Sequence, residues 1–146
     1  MSSHNAIEIV IVEDNPSDAE LLMHVFRKHN VTNSIVLLKD GVEALDFLFP
    51  PGPAPAVPAA RIIILDLKLP KVNGIEVLRR IKSDERTRKT PVIILTSSRE
   101  DRDLKDAYNW GVNSYVTKPI KFDEFAKVVS ELEMYWLLLN KPPVLG

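Results

Sequence analysis

The chain has 146 residues, which suits one domain built around one core. Hydrophobic residues make up 45% and charged residues 27%, with a net charge of −1, so bulk electrostatics gives no reason to expect binding to nucleic acid or an anionic membrane. The absence of cysteine excludes disulfides, thiolate metal sites and a cysteine nucleophile.

The opening stretch, MSSHNAIEIVIVED, lacks a basic region followed by a long apolar run, so no signal peptide is expected. No apolar segment approaches the roughly 20 residues that span a bilayer, and a cytoplasmic location is expected. The first aliphatic run is IEIVIV (7–12), rich in β-branched residues and predicted to be a strand. Asn15 followed by Pro16 is a cap and a first-turn proline, and Ala19, Leu22, Met23 and Phe26 then form an apolar stripe at helical spacing. SIVLL (34–38) is the second predicted strand, and Asp40-Gly41 opens a second helix carrying Ala44, Leu45 and Leu48.

PPGPAPAVPAA (50–60) has five prolines in eleven residues, which excludes a helix or a central strand and predicts an extended surface loop. RIIIL (61–65) is the third strand, after which Asn73 caps a helix carrying Val77, Leu78 and Ile81. PVIIL (91–95) is the fourth, followed by a helix marked by Leu104, Ala107 and Tyr108. SYVT (114–117) is the fifth, and a last helix from about Lys121 to Leu138 carries Phe122, Phe125, Val129, Leu132 and Trp136. The runs do not alternate with polar residues, as is usual for strands buried on both faces of a parallel sheet. Five strand–helix repeats imply right-handed crossovers and an α/β fold, a doubly wound parallel sheet with helices on both faces. The reading is one domain over 1–146, with its core from about 7 to 138 and no internal repeat.

Ligands of open α/β sheets bind beyond the carboxyl ends of the strands. Glu13 and Asp14 follow the first run, Asp66 the third, Thr96, Ser97 and Ser98 the fourth, and Lys118-Pro119 the fifth. Crowded carboxylates repel unless a cation sits among them, and hard oxygen donors without cysteine or histidine favour Mg²⁺ over zinc. A lysine and a hydroxyl complete a receptacle for a phosphoryl group, with Asp66, placed centrally, as the carboxylate nucleophile. Each residue alone has a plainer reading: Asp14 as a helix-start acid, Glu13 as an exposed acid, Thr96 as a strand-end threonine, Lys118 as a solvated side chain. Their joint placement after four different strands favours chemistry. His4, His24 and His29 show no metal-ligand spacing.

The series Glu13-Asp14, Asp66, Thr96, Lys118-Pro119 resembles the receiver domain of two-component response regulators. "LPKVNG" is similar to that family's proline–x–x–x–glycine stretch, and "WGVNSYVTKP" to its ending around the lysine–proline pair, with Val112 in place of the usual alanine. "VEDNPSDAELL" and "DGVEALDFLF" resemble stand-alone regulators, including those paired with phytochrome-type histidine kinases. The resemblance implies a flavodoxin-like sheet in the order 2-1-3-4-5. It implies that Asp66 accepts a phosphoryl group from a kinase phosphohistidine, with Mg²⁺ (Mn²⁺ is admissible) held by Asp14, Asp66 and the backbone carbonyl of Lys68, and with Glu13 acting through water. It further implies that Lys118 and Thr96 contact the phosphoryl group, that Thr96 and Tyr115 form the switch, that Lys68 and Ser98 tune phosphoryl lifetime, and that the Lys118–Pro119 peptide is cis.

On this reading the protein is no enzyme beyond its own phosphorylation and dephosphorylation. Its partners are a sensor histidine kinase, docking on the first helix near Leu21, Leu22 and Val25, and a second copy through the fourth and fifth helices. The basic cluster Arg79, Arg80, Lys82, Arg86, Arg88 and Lys89 is read as a solvated face. The rival reading is a receiver-like interaction module that works without phosphorylation. A dehalogenase-type phosphatase needs a second acid where Lys68 stands, and a nucleotide phosphate loop is absent.

Overall fold

The computed structural model describes residues 7–28, 35–52, 60–119, 121–133 and 135–136. In chain order the elements are β1 (Ile7–Val12), α1 (Pro16–Lys28), β2 (Ile35–Leu38), α2 (Gly41–Leu48), β3 (Ala60–Leu65), α3 (Gly74–Ser83), β4 (Val92–Thr96), α4 (Asp101–Asn109), β5 (Ser114–Thr117) and α5 (Phe122–Glu133). The five strands form one parallel sheet in the order β2-β1-β3-β4-β5. Val10 pairs with Val36 on one side and Ile63 on the other, and Ile94 pairs with Tyr115. This is the expected α/β architecture, in the expected strand order.

Successive strand residues point to opposite faces, so each aliphatic run feeds two cores. Val10, Val12, Ile63, Leu65 and Ile94 pack with Leu48, Leu78, Ile81 and Ala107 beneath α2, α3 and α4. Ile9, Ile11, Ile62, Ile64 and Ile93 pack with Leu22, Phe26, Phe125 and Val129 beneath α1 and α5. Both faces are covered, which explains why the runs do not alternate with polar residues.

Side-chain caps start three helices. Asn15 Oδ1 accepts from the backbone N–H of Ser17 and Asp18, Asp40 Oδ1 from that of Glu43, and Asn73 Oδ1 from that of Glu76. Asp40 therefore serves as a cap; the Glu43 N–H and the nearby Lys71 ammonium (3.4 Å) hold its carboxyl below the usual range.

Gly74 explains the proline–x–x–x–glycine stretch. A Cβ there would lie 2.3 Å from the backbone oxygen of Asp66, so only glycine lets α3 start this close to the end of β3. Gly111 adopts a φ of +88°, the left-handed turn that ends α4, and Val112 after it is buried in the core.

Four details depart from the sequence reading. Leu104 and Tyr108, expected with Ala107 on the apolar side of this helix, are 40% and 54% exposed; α4 is short and charged, and Ala107 is its residue buried in the core with Val92 and Ile94. The proline-rich stretch ends one residue early, since Ala60 pairs with Ile7 as the first residue of β3; residues 53–59 lie outside the described residues. The last helix is described as Phe122–Glu133 with a wider turn at 135–136, and Met134 and Leu137 to Leu139 lie outside the described residues. The Lys118–Pro119 peptide is trans, since no cis bond occurs among the described residues. Trans is the lower-energy form of an X–Pro bond by about 0.5–1 kcal/mol, and Lys118 reaches its partners from it.

Candidate functional site

Three of the strands that carry candidate residues are each extended at their ends by one further backbone hydrogen bond of the sheet. Glu13 N donates to Leu38 O (3.0 Å), Asp66 N to Val12 O (3.0 Å) and Lys118 N to Thr96 O (2.7 Å). The parallel ladder thus runs past the formal strand ends and brings Glu13, Asp66, Thr96 and Lys118 together at the carboxyl edge.

Lys118 is the centre of the site. Its Nζ donates to Glu13 Oε1 (2.7 Å), Asp18 Oδ2 (2.8 Å) and Asp66 Oδ2 (2.8 Å). These three bonds use every N–H of the ammonium. Lys118, Glu13 and Asp66 are all buried, and Thr96 is fully buried beside them. The remaining oxygens are also satisfied: Glu13 Oε2 accepts from Asn15 N (3.1 Å), and Asp66 Oδ1 accepts from Lys68 N (3.0 Å).

Burial and pairing act on these groups in opposite directions. Burial pushes Glu13 up to about 7, against the pull of Lys118. Burial also acts to raise Asp66, but the Lys118 hydrogen bond and charge, the Lys68 N–H and the Thr96 hydroxyl outweigh it and hold the carboxyl below the usual range. For Lys118, the three carboxylates overcome burial and hold it firmly charged. Of the two buried carboxylates, Asp66 is therefore the one whose charged form its neighbours favour.

Glu13, Asp14 and Asp66 each offer a carboxylate oxygen, all within 4.8 Å of one another. Glu13 and Asp66 are buried whereas Asp14 is exposed, so the cluster opens to solvent on one side. Hard oxygen donors with room for water fit Mg²⁺ or Mn²⁺. The excess negative charge, which Lys118 offsets only in part, gives a divalent cation an electrostatic reason to bind.

The expected tuning residues are tied to a residue that the sequence did not single out. Ser98 Oγ donates to Asp103 Oδ2, and Lys68 Nζ lies 3.7 Å from the same oxygen. Tyr115 Oη donates to the Ser98 carbonyl (3.3 Å), which links the expected switch tyrosine to the β4–α4 loop. Asp18 and Asp103 both lie in the first turn of a helix, where an acid reads as a favourable charge on the helix dipole. No spacing signal connects Asp18 to Lys118, a hundred positions away.

The residues expected to receive the kinase are in the core: Leu21, Leu22 and Val25 are buried under α1. Their helical spacing serves packing against the sheet and α5, and the exposed face of α1 carries Glu20, His24, Arg27 and Lys28 instead. Much of the basic cluster is engaged within the chain. Arg79 pairs with Glu76 and lies over Trp110, Arg80 and Arg86 lie over Phe49, and Lys82 donates to the carbonyls of Arg88 and Thr90. No helix among the described residues is long and apolar enough to cross a membrane.

Residues 9–130 match the model of the response regulator receiver domain. The chain belongs to this family. The receiver is 45% identical over 136 residues to the probable methanogenesis regulatory protein FilR2 of Methanothrix harundinacea, covering 92% of this chain and 86% of that protein. It is 35% identical over 129 residues to the response regulator Rcp1 of Synechocystis sp., covering 88% of each. A crystal structure of the Mn(2+)-bound form of Rcp1 superposes with a TM-score of 0.87 at 33% identity, covering 94% of this chain and 99% of that one. The phosphorylated cyanobacterial phytochrome response regulator RcpA gives 0.86 at 33% identity, covering 95% and 99%.

The shared ammonium makes a stability prediction. Lys118→Met strands Glu13 and Asp66 in a buried site without their counter-charge. Urea unfolding of the metal-free receiver should register a loss of about 3–5 kcal/mol, partly restored by adding Asp66→Asn. A double variant no more stable than Lys118→Met would contradict the assignment of Lys118 as their common partner.

Proposed function

We propose that this receiver is a stand-alone response regulator that takes a phosphoryl group from a sensor histidine kinase onto Asp66 and signals by a conformational switch. The observation that carries this reading is the placement of Asp66: 2.8 Å from Lys118, whose charge favours its carboxylate form, and grouped with Asp14 and Glu13 within the reach of one cation. In the transfer, an Asp66 carboxylate oxygen attacks phosphorus as the P–N bond to the kinase imidazole breaks. The bonding pair returns to the imidazole, which takes a proton from solvent, and a P–O bond to Asp66 remains. Hydrolysis reverses the occupancy: water attacks phosphorus, the bond to Asp66 breaks, and inorganic phosphate leaves.

The chain's own groups supply the positioning. Lys118 turns its ammonium onto a phosphoryl oxygen, and the Thr96 hydroxyl donates to another. Mg²⁺ is the cofactor this reading assigns, held by Asp14, Asp66 and the backbone carbonyl of Lys68, with Glu13 through water; Mn²⁺ suits the same donors. When bound, it supplies positive charge to the phosphoryl oxygens that Lys118 cannot reach. The added negative charge draws Thr96 inward. Because Ser98 is tied to both Tyr115 and Asp103, that movement passes to the β4–α4 loop and to α4. Lys68 and Ser98 then set how long the phosphoryl group lasts. A regulator of this type has no turnover on other molecules, and it works in the cytoplasm.

The likeness to a phytochrome response regulator supports a phytochrome-type kinase as partner. The exposed Leu104 and Tyr108 on α4, with Tyr135 beyond α5, support a homodimer through α4 and α5. Trp136 belongs to the core beneath α1 and α5 and is not available for that contact.

Two experiments test the proposal. Acetyl phosphate with Mg²⁺ should add one phosphoryl group, read as intact mass, and chelation of the metal or Asp66→Asn should abolish the addition; equal labelling of Asp66→Asn would overturn the assignment and favour a module that works without phosphorylation. Light scattering of the phosphorylated receiver should give twice the chain mass, reduced to the chain mass by Tyr108→Glu. An unchanged mass in that variant would remove α4 from the interface.

A further inference from the structure

Asp18 completes the triad of carboxylates on Lys118, yet nothing in the recognised series of acids, hydroxyl and lysine includes it. Its position in α1 offers it a different task. Asn15 caps the helix through Oδ1, so Asp18 stands three residues beyond the cap, where an acidic side chain ordinarily reaches back to the cap residue's own N–H. That N–H is already taken by Glu13 Oε2 at 3.1 Å. Asp18 is therefore free of local duty, and its carboxylate turns across the site to the ammonium at the end of β5 at 2.8 Å.

The three carboxylates on Lys118 differ in how easily each can release it. Glu13 has both oxygens engaged and is only 2% exposed, so breaking its bond would strand a charge in the core. Asp66 is the group being phosphorylated. The side chain of Asp18 is 26% exposed and can exchange the ammonium for water at modest cost. An ammonium has three N–H groups, and all three are occupied before a phosphoryl group arrives. One bond must be given up for Lys118 to reach a phosphoryl oxygen.

We propose that Asp18 is a positioning residue that holds Lys118 at rest and is the carboxylate displaced when the phosphoryl group arrives, so that it competes directly with phosphorylation. This inference rests on Asp66 as the phosphoacceptor. It gives α1 a direct line into the chemistry: whatever shifts the first turn of α1 alters the hold of Asp18 on Lys118. Asp18 is the device that sets how readily the receiver takes up phosphate, whereas Lys68 and Ser98 lie on the other side of Asp66 with Asp103.

The test compares the parent with Asp18→Ala, Asp18→Asn and Asp18→Glu, and with Glu20→Gln as a control that removes one charge from an exposed position of the same helix. Two quantities are read with Mg²⁺ present: the rate of labelling by acetyl phosphate, and the affinity for beryllofluoride, a phosphoryl mimic, by ¹⁹F NMR. In labelling, the P–O bond to acetate breaks, acetate leaves with the electron pair, and the bond to Asp66 forms. Asp18→Ala should raise both rate and affinity about fivefold, the factor for removing one partly exposed ion pair from the competition. Asp18→Asn should move both the same way, Asp18→Glu should return them toward the parent, and Glu20→Gln should leave both unchanged. If Asp18→Ala does not fold, as judged by its thermal unfolding, Asp18→Asn carries the comparison. Values equal to those of the parent or of Glu20→Gln, or a fall in either quantity, would overturn the inference. A parent that takes no label would instead overturn the phosphoacceptor reading, so the two failures are distinguishable.

Discussion

The structure turns on one buried cation shared by three acids. Lys118 comes from the end of β5 and reaches groups that follow β1, begin α1 and follow β3. Apart from β1 and α1, which follow one another, these segments are distant in sequence, so the ammonium ties together elements that the sheet has only placed side by side. Taken singly, each buried charge would be costly. Taken together they leave a net negative pocket, with one carboxylate held ionised by its neighbours and one side open to solvent. The need of that pocket for positive charge accounts for the fit of a divalent cation and for the fit of a group that brings one with it.

The sheet makes this possible by being rigid where the chemistry needs it. Aliphatic residues on both faces of β1, β3 and β4 fix the strands, and backbone hydrogen bonds continue through Glu13, Asp66 and Lys118. Gly74 keeps the start of α3 tight against the Asp66 carbonyl, so the Asp66 carboxylate projects from a packed end rather than a loose loop. The opposite property appears one turn away. Ser98, Asp103 and Lys68 join two loops through polar contacts at the edge of the site, and such contacts exchange partners without disturbing the core.

Much of this was legible in the amino-acid sequence, because its strongest signals follow from burial. Runs such as RIIIL and PVIIL must be strands covered on both faces, and acids placed directly after them can only gather at the carboxyl edge. Asp14, Asp66, Thr96 and Lys118 were readable on that ground alone, and the strand order followed from the family resemblance. Other features were not legible, for physical reasons. Asp18 and Asp103 occupy first turns of helices, where an acid has a sufficient local explanation, and only the folded chain reveals that their carboxylates serve Lys118 and Ser98. Apolar periodicity identified Leu104 and Tyr108 with a helix, but periodicity cannot say which of two apolar faces the sheet covers. Leu21, Leu22 and Val25 illustrate the same ambiguity in reverse: residues assigned to a partner are consumed by the core.

A crystal structure of the receiver with Mg²⁺ and beryllofluoride tests most directly whether the charge cluster around Lys118 is a resting arrangement that a phosphoryl group reorganises. The account predicts the mimic on Asp66, with the Lys118 ammonium bonded to a fluorine, its bond to Glu13 retained and its bond to Asp18 broken. A structure with the mimic elsewhere, or with Lys118 still bonded to all three carboxylates, would contradict it.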